Sequence, residues 1–221
     1  MQAVKINHTK RDKTVMTKTR WVKIGWVASL VILFTVFSVW YGGNGKPLTQ
    51  EEGALLIAQL RASYPDSESG LADNLEEMIA KDDGKEFYAV NLEQLKVGDE
   101  ARAADRAYAR AIFPQLIKRA GHPVFISERA GLMLGEYGTE VDRIGVIRYR
   151  SLRDLINMAK DPALTPHSHR KFDALEHTEV FITRPTITFL HVRLTLALLL
   201  ILLGWAGLRA MSWIADRARS R

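Results

Sequence analysis

Six histidines and no cysteine set the limits on chemistry in this 221-residue chain. Four of the histidines, His122, His167, His169 and His177, lie in its middle. His167 and His169 would share a face only in an extended segment, because neighbours two apart diverge on a helix. His169 and His177, eight apart, align on one face if a helix runs over 168–177. No Cys-x-x-Cys or His-Glu-x-x-His spacing occurs, so a metal site would need histidine plus carboxylate. The histidines read instead as residues that cap and flank a helix, and no metal or cofactor is expected. The paired carboxylates Glu76-Glu77 and Asp82-Asp83 are sequence neighbours whose side chains point apart, which makes them poor acid–base pairs. Arg102, Arg106 and Arg110 form an i, i+4, i+8 stripe, read as a solvated face partly paired with Asp99 and Asp105. No phosphate-cradling glycine loop, nucleophile elbow or dinucleotide fingerprint is present.

These groups need elements to position them. Gly42–Pro47 is a helix-breaking linker. Thr49 and Glu52 have the spacing of a capping box, which opens a helix over 50–63 that Tyr64-Pro65-Asp66 stops. A second amphipathic helix is predicted over 70–81. From Lys85 the pattern becomes compact: a strand over 86–92, a long helix over 99–120, strands over 123–127 and 142–149, a helix over 152–160 capped by Ser151, a helix over 168–177 and a strand over 178–183. The segment 129–140, glycine-rich with apolar residues, reads as an extended hairpin. The order β-α-β-β-α-β is the ferredoxin-like arrangement, and about 100 residues suffice for such a domain.

Two apolar runs bracket this region, Ile24–Tyr41 and Leu194–Leu208 with its flanks. Each approaches the roughly 20 residues that a bilayer span requires. Trp21, Trp26, Trp40, Tyr41 and Trp205 sit where interfacial rings would anchor the spans, and Arg193 is placed to snorkel. Residues 1–23 carry seven Lys and Arg against one acid, and residues 209–221 carry four against one. The middle, 43–186, holds 19 Lys and Arg against 23 Asp and Glu, so the chain's net charge of +6 is a property of its ends. Basic flanks stay cytoplasmic. The expected layout is a basic tail (1–20), a first span (21–42), a linker and helical adaptor (43–84), the α+β domain (85–186), a second span (187–210) and a basic tail (211–221). Both termini are then cytoplasmic in an inner membrane, with 43–186 outside it. The basic excess is a positive-inside signature, not a nucleic-acid footprint.

FYAVNLEQL, FPQLIKRAGHPVFIS, DRIGVIRYRSLRDLINMAKDP and HRKFDALEHTEVF together resemble the dimeric α/β-barrel superfamily. They are most similar to its uncharacterised branch near the ether-degradation and antibiotic-biosynthesis-monooxygenase families, over about 85–184. The resemblance implies that two ferredoxin-like units pair their sheets, and that a ligand pocket lies between sheet and helices. It points to Tyr88, Asn91, Phe125, Arg148, Tyr149, His169 and His177 as pocket candidates. Strand alternation puts Tyr88 with Val90 on one face and Phe87, Ala89 and Asn91 on the other, and leaves open which face meets a second copy. The functional expectation is a membrane-tethered, non-catalytic module that binds a partner protein or small ligand at the membrane surface. Its expected partners are the lipid bilayer, a second copy of itself and another membrane protein. The alternatives are a cofactor-independent monooxygenase or isomerase acting on a lipophilic substrate, and an accessory subunit of a larger membrane complex.

Overall fold

A computed structural model describes residues 2–63, 70–167, 169–188 and 191–219. The Tyr64-Pro65-Asp66 stop signal and Ser168 lie outside the described residues. The chain divides into two compact units, one made of 1–40 with 189–221 and the other of 41–188.

In the first unit, α1 (Gln2–Gly42) runs without a break from the basic tail through the first apolar run, and α7 (Val192–Arg219) carries the second. The stretches Thr19–Gly42 and Val192–Arg217 are each long and apolar enough to cross a membrane. Val31, Ile32, Val36, Leu198, Leu202 and Ile201 on these helices are all more than half exposed. The helices run antiparallel, because Lys23 Nζ donates to Ser212 Oγ at 2.7 Å while Trp26 lies over Gly207 and Leu30 over Gly204. A Cβ on Gly207 would sit 2.5 Å from the Trp26 indole nitrogen, so only glycine permits this approach. The two glycines, too sparse in the sequence to mark a dimerisation face, thus form a seam within one chain. Small residues let helix backbones approach closely where no hydrophobic gain is available.

The second unit is built on an antiparallel sheet in the order β2-β3-β1-β4. Its strands are β1 (Phe87–Leu95), β2 (His122–Glu128), β3 (Arg143–Tyr149) and β4 (Leu175–Thr183). Phe87 pairs with Tyr149, Asn91 with Gly145 and Glu93 with Arg143 across β1 and β3. With α4 (Asp99–Lys118) joining β1 to β2 and α5 (Leu152–Ala159) following β3, this is the expected ferredoxin-like α+β order.

Odd-numbered residues of β1 and β3 face the helices. Phe87 and Ala89 form one core with Leu56, Leu152 and Ile156, joined by Leu75, Met78 and Ile79. The adaptor helices α2 (Gln50–Ser63) and α3 (Leu71–Ala80) therefore complete this layer. Leu116, Met158 and Leu164 form a second core beside Ile147 and Tyr149. The predicted caps are in place. Thr49 N donates to Glu52 Oε2 at 2.8 Å, Glu52 N to Thr49 Oγ1 at 3.2 Å, and Asp154 N to Ser151 Oγ at 3.2 Å. Gly121, just before β2, is required because a Cβ there would lie 2.5 Å from Leu116 Cδ1.

One element departs from expectation. The helix predicted over 168–177 is only α6 (Arg170–Ala174), preceded by a 3-10 turn at Thr165–His167. Leu175, Glu176 and His177 belong to β4, where Leu175 pairs with Leu95 and His177 with Gln94 across a bulge. Burial of Leu175 to 5% exposure and a bond from Lys96 N to the Ala174 carbonyl at 3.0 Å favour the strand. Local helical periodicity loses to pairing with β1.

Candidate functional site

Beneath α4 the helix-facing side of the sheet holds a cavity of about 170 Å³. Its floor is β1 and β3, with Asn91, Glu93, Arg143, Gly145 and Tyr149. Its roof is α4, with Asp105, Tyr108, Ile112 and Phe113, and Lys171 of α6 closes one side. Gly145 opens the floor, since nothing but Asn91 Cβ, at 3.9 Å, lies near the position of its missing side chain.

A charged clamp fixes one end. Arg143 donates to Glu93 Oε2 at 2.6 Å and makes a two-pronged contact with Asp105 at 2.8 and 2.9 Å. Two carboxylates around one guanidinium hold it firmly cationic: the Asp105 hydrogen bonds raise its pKa most, and Glu93 adds to them against the cost of burial. Asp105 therefore bridges helix to sheet and does not join the arginine stripe on α4; Arg102 pairs with Asp99 at 2.7 Å.

Asn91 is fully engaged. Its amide nitrogen donates to the carbonyls of Ala89 at 3.3 Å and Gly145 at 3.1 Å, and its oxygen accepts from Lys171 Nζ at 3.2 Å. That is Lys171's hydrogen bond; no carboxylate pairs with it among the described residues. Burial pulls its pKa down, Arg143 pulls the same way and Glu93 opposes. Neither the Tyr108 nor the Tyr149 hydroxyl has a hydrogen-bond partner among the described residues. Burial raises the pKa of Tyr149 to about 12. It also raises that of Tyr108, with Tyr149 and Glu93 adding to the effect. Both phenols are thus neutral donors at ordinary pH.

Of the seven pocket candidates, Asn91 and Tyr149 line this cavity. Tyr88 and Arg148 are register partners and lie on the opposite face. Arg148, 1% exposed, donates to Glu86 through Nε at 2.8 Å. It also donates to the carbonyls of Ala120 at 2.6 Å and Tyr41 at 3.1 Å, and its guanidinium lies 3.8 Å from the centre of the Tyr41 ring. Phe125 is half exposed and lies beside Val146 on that same open face. His169 flanks α6 beside Asp173 at 3.7 Å and is exposed. His177 is exposed in β4, so the two histidines do not share a helix face. The cavity residues that the sequence reading missed are Glu93, Asp105, Tyr108, Arg143 and Lys171. The odd-numbered alternation through Asn91 was the available signal for Glu93, and the register that places Arg143 and Gly145 beneath it was not.

Among the span anchors, Trp21 and Trp205 are exposed, and Arg209 lies 5.3 Å from the Trp205 ring. Trp40 is partly exposed, Trp26 is turned into the helix seam, and Arg193 stands in the first turn of α7. Tyr41 is packed into the second unit. It is 8% exposed, and its hydroxyl bonds His122 Nε2 at 2.9 Å. The 129–140 segment leaves Met133, Leu134 and Tyr137 fully exposed and does not fold over the cavity.

Among the described residues no group of three His, Asp or Glu is placed to hold a metal. No protein-family description matches the chain, and no curated protein matches it. Solved structures similar to it include three proteins. A protein of unknown function from Rhodopseudomonas palustris shares 20% identity over 52% of this chain and 94% of that one, with a TM-score of 0.48. The cofactor-independent oxygenase SnoaB from Streptomyces nogalater shares 13% over 48% and 99%, with a TM-score of 0.34. A dimeric protein of unknown function and ferredoxin-like fold from Bacteroides fragilis shares 14% over 45% and 96%, with a TM-score of 0.32. At these values the likenesses decide neither substrate nor partner, and the fold rests on strand order and register.

Proposed function

We propose that this chain is a membrane-anchored module that binds a small ligand in the cavity beneath α4. In this reading α1 and α7 cross an inner membrane, both basic tails are cytoplasmic, and 43–186 lies on the far side. Support comes from two exposed apolar helices running antiparallel and from tails rich in Lys and Arg. The observation that carries ligand binding is the pair of Tyr108 and Tyr149 hydroxyls, without protein partners among the described residues, beside Lys171, whose one hydrogen bond is to Asn91, in a cavity lined besides by the Glu93–Arg143–Asp105 clamp and apolar side chains. Hydroxyls that face a cavity without protein partners are groups a ligand can engage.

Mass spectrometry of the full chain purified in mild detergent tests this. A small molecule should accompany the wild type and be lost from Gly145→Val, which fills the cavity floor. Retention of the molecule by that variant sinks the cavity as the site. A protein retained in equal ratio by both would favour the accessory-subunit reading.

The open sheet face supports pairing of two copies. Val90, Val146, Phe125 and Phe181 lie on it by register, and Phe125 and Phe181 are about half exposed. The tyrosine pair beside Ile112, Phe113 and Ile126 also favours a second reading, a cofactor-independent oxygenase or isomerase acting on a lipophilic substrate. Turnover that survives Tyr108→Phe and Tyr149→Phe together would exclude these residues from that chemistry.

A further inference from the structure

We infer that the cavity beneath α4 selects a small monoanionic ligand, an aryl or short-chain monocarboxylate, with Lys171 as its counter-ion. This rests on the cavity being a ligand site.

Four charged residues line the cavity: Glu93 from β1, Asp105 from α4, Arg143 from β3 and Lys171 from α6. Arg143 holds both carboxylates, at 2.6 Å from Glu93 and 2.8 Å from Asp105. Neither offers an ion pair to Lys171, whose hydrogen bond is to the neutral Asn91 amide at 3.2 Å. Asn91 cannot swing away to serve a ligand, because its nitrogen is fixed on two backbone carbonyls. A partly buried ammonium whose one hydrogen bond among the described residues is to an amide, with Glu93 acting on it through space, keeps donors that an anion within contact distance can take. The four lining charges already sum to zero, so a monoanion leaves the cavity with one net negative charge and a dianion with two, which favours the smaller anionic charge. Tyr108 and Tyr149 add neutral hydroxyl donors, which also favour acceptor oxygens. Size sets the remaining limit. About 170 Å³ is close to the roughly 150 Å³ cavity that takes one benzene ring.

The titratable groups facing Lys171 are Glu93, Asp105, Tyr108, Arg143 and Tyr149. Burial, with Arg143 adding to it and Glu93 opposing, disfavours its charged form, so a bound carboxylate draws a proton onto it. Binding of a monoanion should therefore take up protons at alkaline pH and weaken as pH rises.

The test is isothermal titration calorimetry of the full chain in an uncharged detergent, using benzoate and its neutral isostere benzamide. Wild type should bind benzoate at least about tenfold more tightly than benzamide, and Lys171→Met should abolish that preference. Lys171→Gln, which keeps a donor to Asn91, should abolish it too; it decides the matter if the methionine variant fails to fold. Equal affinity for the two probes in wild type overturns the inference and leaves the cavity as a neutral-ligand site. So does an unchanged benzoate preference in either variant. If neither probe gives heat that Gly145→Val removes, the cavity reading itself falls.

Discussion

Arg143 and Arg148 stand five residues apart on one strand and do opposite work. Arg143 faces the helices, is partly exposed, and is held by two carboxylates from β1 and α4. Arg148 faces the other way, is 1% exposed, and spends its donors on one carboxylate and two backbone carbonyls beneath the Tyr41 ring. The first frames a space that stays open. The second fills its space and ties Tyr41 and the Ala120 turn to the sheet. A buried arginine is therefore no sign of a site; what matters is whether its neighbours leave groups unengaged around it.

Breaking each arginine separates the two roles. Arg148→Met leaves the buried Ala120 and Tyr41 carbonyls without their donor, while Glu86, 41% exposed, keeps water; it should destabilise the 41–188 unit by about 3–5 kcal/mol, read by urea denaturation followed by circular dichroism. A loss below about 1 kcal/mol would show that water replaces the guanidinium there. Arg143→Met should cost about 3 kcal/mol, because Asp105 keeps contact with water but the Glu93 side chain, 12% exposed, loses its counter-ion. It should also abolish ligand binding in conditions where the protein stays folded. The two side chains point to opposite faces about 16 Å apart along the strand, so the double variant should be additive within about 0.5 kcal/mol. Coupling well beyond that would mean that the faces are not independent.

Alternation along a strand was enough to separate Tyr88 from Asn91, and local chemistry was enough for the capping box at Thr49 and Glu52 and the Ser151 cap. These depend on residues a few positions apart. The cavity depends on contacts between Arg143 and Asp105, 38 positions apart, and between Lys171 and Asn91, 80 apart. Nothing in either local sequence encodes such a pairing. The same limit applies to Tyr41. Its position at the end of an apolar run fits an interfacial ring, yet its partners are His122 and Arg148, 81 and 107 positions away. His177 leaves the expected helix for a related reason: the ladder to Gln94 outweighs its helical spacing from His169.

The faces differ again in what covers them. Helices cover the Arg143 side, while the Arg148 side leaves Phe125 and Phe181 about half exposed. If that open face pairs two copies, Phe181→Glu places two like charges in the contact and should weaken self-association by at least about tenfold, equivalent to roughly 1.4 kcal/mol. Sedimentation of the full chain in detergent reads the shift, and ligand affinity should be unchanged because the cavity is on the other side. An unaltered oligomer would free the face for some other role.

The smallest effect expected lies at the edge of the helical layer, where the adaptor meets the domain. Arg153 on α5 donates to both oxygens of Glu52 on α2, at 2.6 and 2.8 Å. The Arg153 hydrogen bond is the main cause that lowers the Glu52 carboxyl from its ordinary 4.5 to about 2, with the Thr49 backbone N–H next. A carboxylate whose folded pKa is depressed stabilises the fold in full above its unfolded value and loses that contribution as pH falls toward the folded one. The window is therefore about pH 4.5 down to about 2. The pair is solvent-exposed, so salt should shrink the effect. Amide exchange in α2 should accelerate across this window in wild type, and less so in Glu52→Gln, which cannot titrate. Arg148 has no part in this window, so exchange near β3 should not follow the same curve. Matching acid profiles for α2 in wild type and Glu52→Gln would show that the ion pair holds nothing in place and that the apolar contacts of Leu56 alone seat the adaptor on the sheet.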